Sequence, residues 1–256
     1  ATDTATRPLL VVLVVGETAR AANFGLNGYG RATTPLLGAR EDVIYFADTE
    51  ACGTSTAFSI PCMFSHLPRN GFTSRAADRY YNLVDVVQQA GLAVHWIENN
   101  SGCKGVCARV PTVVTATHCG ATHCRDEVIE SPFQALLPDV QRDTLVVLHQ
   151  NGSHGPAYFE RYPLTEEFFQ QACRSNRIDA CDREAVVNAY DNTLRHTDAQ
   201  LARLIGVLEQ WSDRLDTALL YVSDHGESLG EAGVYLHGMP YSFAPAEQKQ
   251  VPMLMW

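Results

Sequence analysis

Leu9 to Val15 is an unbroken run of leucine and valine, followed at once by Gly16-Glu17. A short apolar run with no polar alternation reads as a strand buried on both faces, which is the habit of parallel sheets covered by helices. Further runs at Val43–Phe46, Ala93–Ile97, Thr144–Leu148, Ala218–Val222 and Val251–Met255 read as strands of the same kind. Between them lie helical patterns. Leu83, Val86, Val87 and Ala90 share one face of Asn82–Ala90. Tyr190, Leu194, Thr197, Leu201, Leu204, Ile205 and Leu208 form an apolar stripe along Arg183–Trp211. Strand and helix in alternation predict an α/β sandwich with a mostly parallel central sheet, in one domain over residues 1–256. Segments 98–130 and 150–182 are long, irregular and cysteine-bearing, and loops of that length in a compact domain usually serve function.

The 46% hydrophobic content supports a sizeable core, and a formal net charge of -10 argues against a nucleic-acid binder, which needs a basic footprint. An anionic substrate is still compatible, because a metal ion and a few cations can dominate a site's own field. Eight cysteines fall in close pairs, Cys52/Cys62, Cys103/Cys107, Cys119/Cys124 and Cys173/Cys181. Their irregular spacing, without paired CxxC knuckles, favours disulfides over a zinc cluster and so an oxidising compartment. No stretch approaches the ~20 apolar residues of a membrane span, and no signal peptide leads the chain. A disulfide-rich protein needs export, so an excised or processed domain is expected.

Ligands of open α/β sheets bind beyond the carboxyl ends of the strands. Here those ends carry Glu17, then Glu98-Asn99-Asn100-Ser101 with Lys104, then His149 through His154, and Asp224-His225 with His237 twelve residues on. A carboxylate and an imidazole at a strand end suit a divalent metal, zinc above all. Each has a plainer reading: Glu17 as a helix-start carboxylate, His154 as a loop histidine, Lys104 as a surface lysine. His95, His118, His123, His149 and His196 are read as structural or solvent-facing. In Cys52-Gly53-Thr54-Ser55-Thr56-Ala57-Phe58, hydroxyls cluster before an apolar helical start. They read either as an N-cap or as a nucleophile beside a phosphate-binding helix N-terminus, and the residues themselves leave Thr54, Ser55 and Thr56 all open.

Gly16-Glu17-Thr18-Ala19-Arg20, Thr54-Ser55-Thr56-Ala57, Ser153-His154-Gly155-Pro156, Ser223-Asp224-His225-Gly226-Glu227 and Tyr235-Leu236-His237-Gly238 together resemble the periplasmic catalytic domain of phosphoethanolamine–lipid A transferases, the mobile colistin-resistance type included. The resemblance runs through the whole chain in order. It implies an alkaline phosphatase/sulfatase-like fold, with Thr56 as the nucleophile that carries phosphoethanolamine. Glu17, Thr56, Asp224 and His225 would hold a catalytic zinc. His154 and His237 would meet the substrate phosphate or a second, weaker zinc. Lys104, Asn100, Ser101 and Glu227 would lie near the ethanolamine phosphate. It implies the disulfides Cys52–Cys62, Cys103–Cys107, Cys119–Cys124 and Cys173–Cys181. The donor would be phosphatidylethanolamine and the acceptor a lipid A phosphate. The expected setting is a monomeric periplasmic domain of a Gram-negative inner-membrane protein, held at the membrane by an N-terminal segment outside this chain, with polymyxin resistance as the consequence.

The alternative within the same superfamily is a secreted zinc phosphodiesterase or phosphatase using water as acceptor. Sulfatase chemistry is less well supported, because Ser59-Ile60-Pro61-Cys62-Met63 lacks the arginine of the Cys/Ser-x-Pro-x-Arg pattern. A non-catalytic, disulfide-stapled binding domain is the alternative from another class, and the intact set of Glu17, Thr56, Asp224 and His225 argues against it.

Overall fold

The structure, a computed structural model, describes residues 7–115 and 124–256. Its strands are β1 (Leu9–Gly16), β2 (Ile44–Phe46), β3 (Ala93–Glu98), β4 (Thr112–Val114), β5 (Thr144–His149), β6 (Asp216–Ser223), β7 (Ser228–Glu231), β8 (Val234–Leu236) and β9 (Met253–Met255). The helices are α1 (Pro35–Gly38), α2 (Thr56–Met63), α3 (Ser74–Ala77), α4 (Leu83–Gln89), α5 (Glu130–Leu136), α6 (Arg183–Glu209) and α7 (Ala246–Lys249), with short 3-10 turns between them.

Seven strands form one sheet in the order β2-β9-β6-β1-β5-β3-β4, and β7 pairs with β8 in a separate hairpin. β1 lies at the centre, parallel to β5 on one side and β6 on the other. β3 and β4 extend the parallel run, whereas β9 and β2 add an antiparallel edge. The expected mostly parallel α/β sandwich is therefore the observed architecture.

The uninterrupted apolar character of β1 has a direct cause. Leu10, Val12 and Val14 pack with Val186, Tyr190, Leu194, Leu201 and Ile205 of α6. Leu13 and Val15 point the other way, into a second core with Ile60 and Phe64, Val84 of α4, and Trp96. Successive side chains of a strand alternate faces, so a strand covered on both sides must be apolar throughout. The stripe read along α6 is its buried face, and Leu194, Leu201, Ile205 and Leu208 have no exposed surface. α4 begins one residue later than the stretch read as helical because Asn82 caps it: its side chain accepts from Asp85 N, and the Asp85 carboxylate accepts from Asn82 N.

Some elements were not anticipated. β4 and α5 fall within or beside the segment read as irregular, and the β7–β8 hairpin follows the Asp224-His225 turn. Val43–Phe46 and Val251–Met255 shrink to three-residue strands, β2 at the sheet edge and β9 between it and β6. Three expected disulfides are present, Cys52–Cys62, Cys103–Cys107 and Cys173–Cys181. The fourth, Cys119–Cys124, involves Cys119, which lies outside the described residues, as do His118 and His123. No helix among the described residues is long and apolar enough to cross a membrane.

Candidate metal centre and nucleophile

β1 and β6 are paired in register through Gly16 and Ser223, so the residues that follow them, Glu17 and Asp224-His225, emerge side by side. The turn after β6 is held by close backbone packing. Asp224 N donates to Gly16 O at 2.9 Å, and a Cβ on Gly226 would lie 2.0 Å from Glu247 O, so only glycine passes there. Glu17, Asp224 and His225 have no exposed surface.

Their ligand atoms converge. His225 Nε2 lies 3.1 Å from Glu17 Oε1 and 3.5 Å from Asp224 Oδ2. His225 Nδ1 faces Gly226 O at 2.9 Å, an acceptor, which places a proton on Nδ1 and aims Nε2 into the cluster. Thr56, the first residue of α2, donates its hydroxyl to Glu17 Oε2 at 2.9 Å and lies 3.4 Å from His225 Nε2. Thr54, by contrast, donates to Met239 O at 2.6 Å, and Ser55 is the extended N-cap residue. The fold thus brings Thr56 and not Thr54 to the acid cluster, and the Cys52–Cys62 disulfide ties the loop before α2 to its last turn.

Two buried carboxylates beside one imidazole leave a charge problem. Burial, then the neighbouring Glu17 charge, pushes the Asp224 carboxyl up to about 7. Burial opposes charge on His225, but Asp224 and Glu17 outweigh it and push the imidazole up to about 10. Asp224 Oδ2 is buried with no hydrogen-bond partner. An unpartnered carboxylate oxygen in a dry site is costly. A divalent cation held by Glu17, Asp224, His225 and the Thr56 hydroxyl would answer both features, and an O/N donor set of four suits zinc.

A second group adjoins the first. Glu17, His154 and His237 could also share an ion. The His237 ring lies 4.3 Å from that of His225 and 5.4 Å from that of His154. Burial holds the His154 imidazole below its ordinary value, although Glu17 works the other way. A third group, Glu127, Glu166 and His196, is different in kind. Glu166 sits 2.6 Å from Nδ1 and Glu127 3.5 Å from Nε2, so each ring nitrogen of His196 faces its own carboxylate.

Of the other expected site residues, Glu227 is buried beside His237. Both its carboxylate oxygens are engaged beneath the site, one by Tyr158 OH at 2.9 Å and the other by His237 Nδ1 at 2.8 Å. Asn100 points at the cluster, donating Nδ2 to Glu17 Oε2 at 2.7 Å. Lys104 Nζ folds back on Ser101, 2.7 Å from both its carbonyl and its hydroxyl, on the loop stapled by Cys103–Cys107. Asp126 was missed in the sequence. This buried carboxylate accepts Asn151 N and Gly152 N, each at 2.7 Å, and shapes the turn after β5. Its signal was one of two adjacent acids, Asp126-Glu127, in an irregular stretch, which carries no chemistry until the fold brings residues 126 and 151 together.

Residues 10–256 match the family model described as Sulfatase. The chain belongs to the sulfatase family. Within it, the chain is 46% identical, at a TM-score of 0.96, to the soluble domain of lipooligosaccharide phosphoethanolamine transferase A from Neisseria meningitidis, covering 100% of this chain and 78% of that one. It is 41% identical, at a TM-score of 0.90, to the C-terminal periplasmic domain of phosphoethanolamine transferase EptC from Campylobacter jejuni, with 100% and 81% covered. Among curated proteins, phosphoethanolamine transferase EptA of Escherichia coli K12 is 48% identical over 98% of this chain and 46% of its own length. Phosphatidylethanolamine transferase Mcr-1 of Escherichia coli is 42% identical over 98% of this chain and 48% of its own length. The chain therefore spans about half the length of the curated relatives it matches. Its place is with the phosphoethanolamine-transferase domains of the family, as the five motifs implied, and it is a sulfatase-family enzyme domain.

Proposed function

We propose that this chain is the periplasmic catalytic domain of an inner-membrane enzyme that moves phosphoethanolamine from phosphatidylethanolamine to a lipid A phosphate, with Thr56 as the covalent carrier. The observation that carries the reading is the Thr56 hydroxyl at the head of α2, 2.9 Å from a buried carboxylate within a cluster of metal-type ligands. The kinship with phosphoethanolamine transferase EptA and phosphatidylethanolamine transferase Mcr-1 supports the donor, and that with lipooligosaccharide phosphoethanolamine transferase A supports the acceptor class.

Zinc bound by Glu17, Thr56, Asp224 and His225 would lower the pKa of the threonine hydroxyl and offset charge on the phosphoryl oxygens. In the first half-reaction Thr56 Oγ1 bonds to phosphorus, the phosphorus–oxygen bond to diacylglycerol breaks, and the hydroxyl proton ends on diacylglycerol. In the second, an oxygen of a monoprotonated lipid A phosphate bonds to the same phosphorus, the phosphorus–oxygen bond to Thr56 breaks, and the proton of that phosphate ends on Thr56 Oγ1. His154 and His237 line the approach as hydrogen-bond donors to phosphoryl oxygens, or as ligands of a second, weaker ion. Glu227 and Tyr158 hold His237 in place through Nδ1. A segment outside this chain would hold the domain at the membrane. Each transfer adds an ammonium to lipid A and lowers its affinity for cationic polymyxins.

The test is intact mass of the zinc-loaded protein after incubation with phosphatidylethanolamine in detergent, beside Thr56→Ala. A gain of one phosphoethanolamine unit, absent in the variant, is expected. Release of diacylglycerol from a protein that never gains mass would overturn the covalent transfer and identify a hydrolase.

A further inference from the structure

Behind the metal centre lies a second buried acid–imidazole pair that the reaction above does not use. Glu98 ends β3 and His149 ends β5, and the two are direct neighbours in the sheet. His149 Nδ1 lies 2.9 Å from Glu98 Oε2, with side-chain exposures of 0% and 3%. Trp96, two residues earlier on the same face of β3, donates its indole N–H to the same oxygen at 2.9 Å and meets the His149 ring edge-on. The other oxygen, Oε1, accepts Asn100 N at 2.7 Å and Gly102 N at 3.3 Å. Four donors therefore saturate one buried carboxylate, two from the core and two from the backbone of the loop that leaves β3.

That loop delivers an amide to the centre. Asn100 Nδ2 donates to Glu17 Oε2 at 2.7 Å and to Gln150 O at 2.8 Å. Glu17 Oε2 is also the oxygen that receives the Thr56 hydroxyl. The amide thus fixes which way the Glu17 carboxylate faces, and Glu98 fixes the backbone that carries the amide.

We propose that Glu98, clamped by His149 and Trp96, is a positioning residue that holds Asn100 against Glu17 and so sets the carboxylate beside Thr56. A plain structural ion pair would not need its carboxylate to wrap the next loop, nor would that loop need to end on a ligand. Burial of Glu98 favours the neutral acid, but His149 overrides it and keeps the carboxyl below its ordinary value, which keeps all four acceptor positions open. Partners behind a ligand commonly cost 10–100-fold (roughly) in metal affinity when lost. The proposal rests on the reading of Glu17 and Thr56 as part of a zinc site.

The test is a double-mutant cycle on zinc affinity, using Zn2+ alone in competition with a chromophoric chelator. The variants are Glu98→Gln, Asn100→Ala and the pair. Gln keeps an oxygen for the loop N–H groups but turns an NH2 toward the Trp96 indole. Glu98→Gln is expected to weaken zinc binding about tenfold, and to cost nothing further in the Asn100→Ala background. Trp96→Phe, a gentler change that removes one of the four donors, should give a smaller loss that likewise vanishes with Asn100→Ala; it serves if Glu98→Gln fails to fold. Unchanged zinc affinity in these variants, or the same loss with and without Asn100, would overturn the positioning role. Absence of zinc binding by the unaltered protein would instead overturn the metal reading itself.

Discussion

Gly152→Ala probes how tightly the turn after β5 is pressed against the candidate metal centre. Gly152 has φ +50, and a Cβ there would lie 2.6 Å from Glu17 O and 2.9 Å from Glu17 N. Ordinary contact begins near 3.4 Å, so backbone must separate by about 0.8 Å. Neither side yields cheaply. Gly152 N is tied to Asp126 Oδ2 at 2.7 Å, and the next residue donates to Glu17 O at 2.9 Å. The left-handed conformation costs a side chain about 1 kcal/mol, and overpacking typically adds about 1–3 kcal/mol. A site must hold its groups to within about 0.5 Å, so moving Glu17 by more than that should also weaken zinc binding by about tenfold or more. Gly28→Ala separates the two contributions, since Gly28 has φ +87 and nothing within 4 Å of a new Cβ. The assays are urea unfolding and zinc competition. If Gly152→Ala destabilises no more than Gly28→Ala, or binds zinc as the unaltered protein does, the claimed contact does not govern the site.

Asp198 is fully buried where its carboxylate accepts Leu36 N and Leu37 N, and burial pushes its carboxyl from 3.8 up to about 6. The folded protein holds this proton more tightly than the unfolded chain, so the group's contribution to stability falls as pH rises from about 4 to about 6, by roughly 3 kcal/mol. Urea unfolding at pH 4.5 and 7 should show that dependence flattened in Asp198→Asn; an equal dependence in both proteins would refute it. Tyr158→Phe removes the hydroxyl bond to Glu227 and should cost about 1.5–3 kcal/mol in thermal unfolding while altering the NMR shift of His237 Nδ1; an unmoved His237 signal would sever Tyr158 from that imidazole. Replacing Cys173 and Cys181 with alanine opens a loop of sequence separation 8 and should lower stability by about 2–3 kcal/mol, read by denaturant midpoint; no shift would mean that the loop is already ordered in the unfolded chain.

The sequence alone determined those parts whose cause is local. β1 and β5 are legible because a strand covered on both faces has to be apolar at every position. α6 is legible because its apolar residues recur at helical spacing over 27 residues. Glu17, Asp224 and His225 stood out because strand ends are where an α/β sheet meets its ligand. Tertiary structure decided the rest, because the deciding partners are distant in the chain. Thr54, Ser55 and Thr56 are equivalent as letters; Met239, 185 positions away, takes the first hydroxyl, and Glu17 takes the third. β2 and β9 are legible as short apolar runs, but their antiparallel pairing with each other and with β6 is set only where the folded sheet brings them together. Glu227, which the resemblance places near the ethanolamine phosphate, gains its partners Tyr158 and His237 only in the fold. Glu98 and His149, 51 positions apart, had no case as a pair in the sequence. They acquired one when the sheet set β3 beside β5 and left a buried carboxylate with four donors to satisfy.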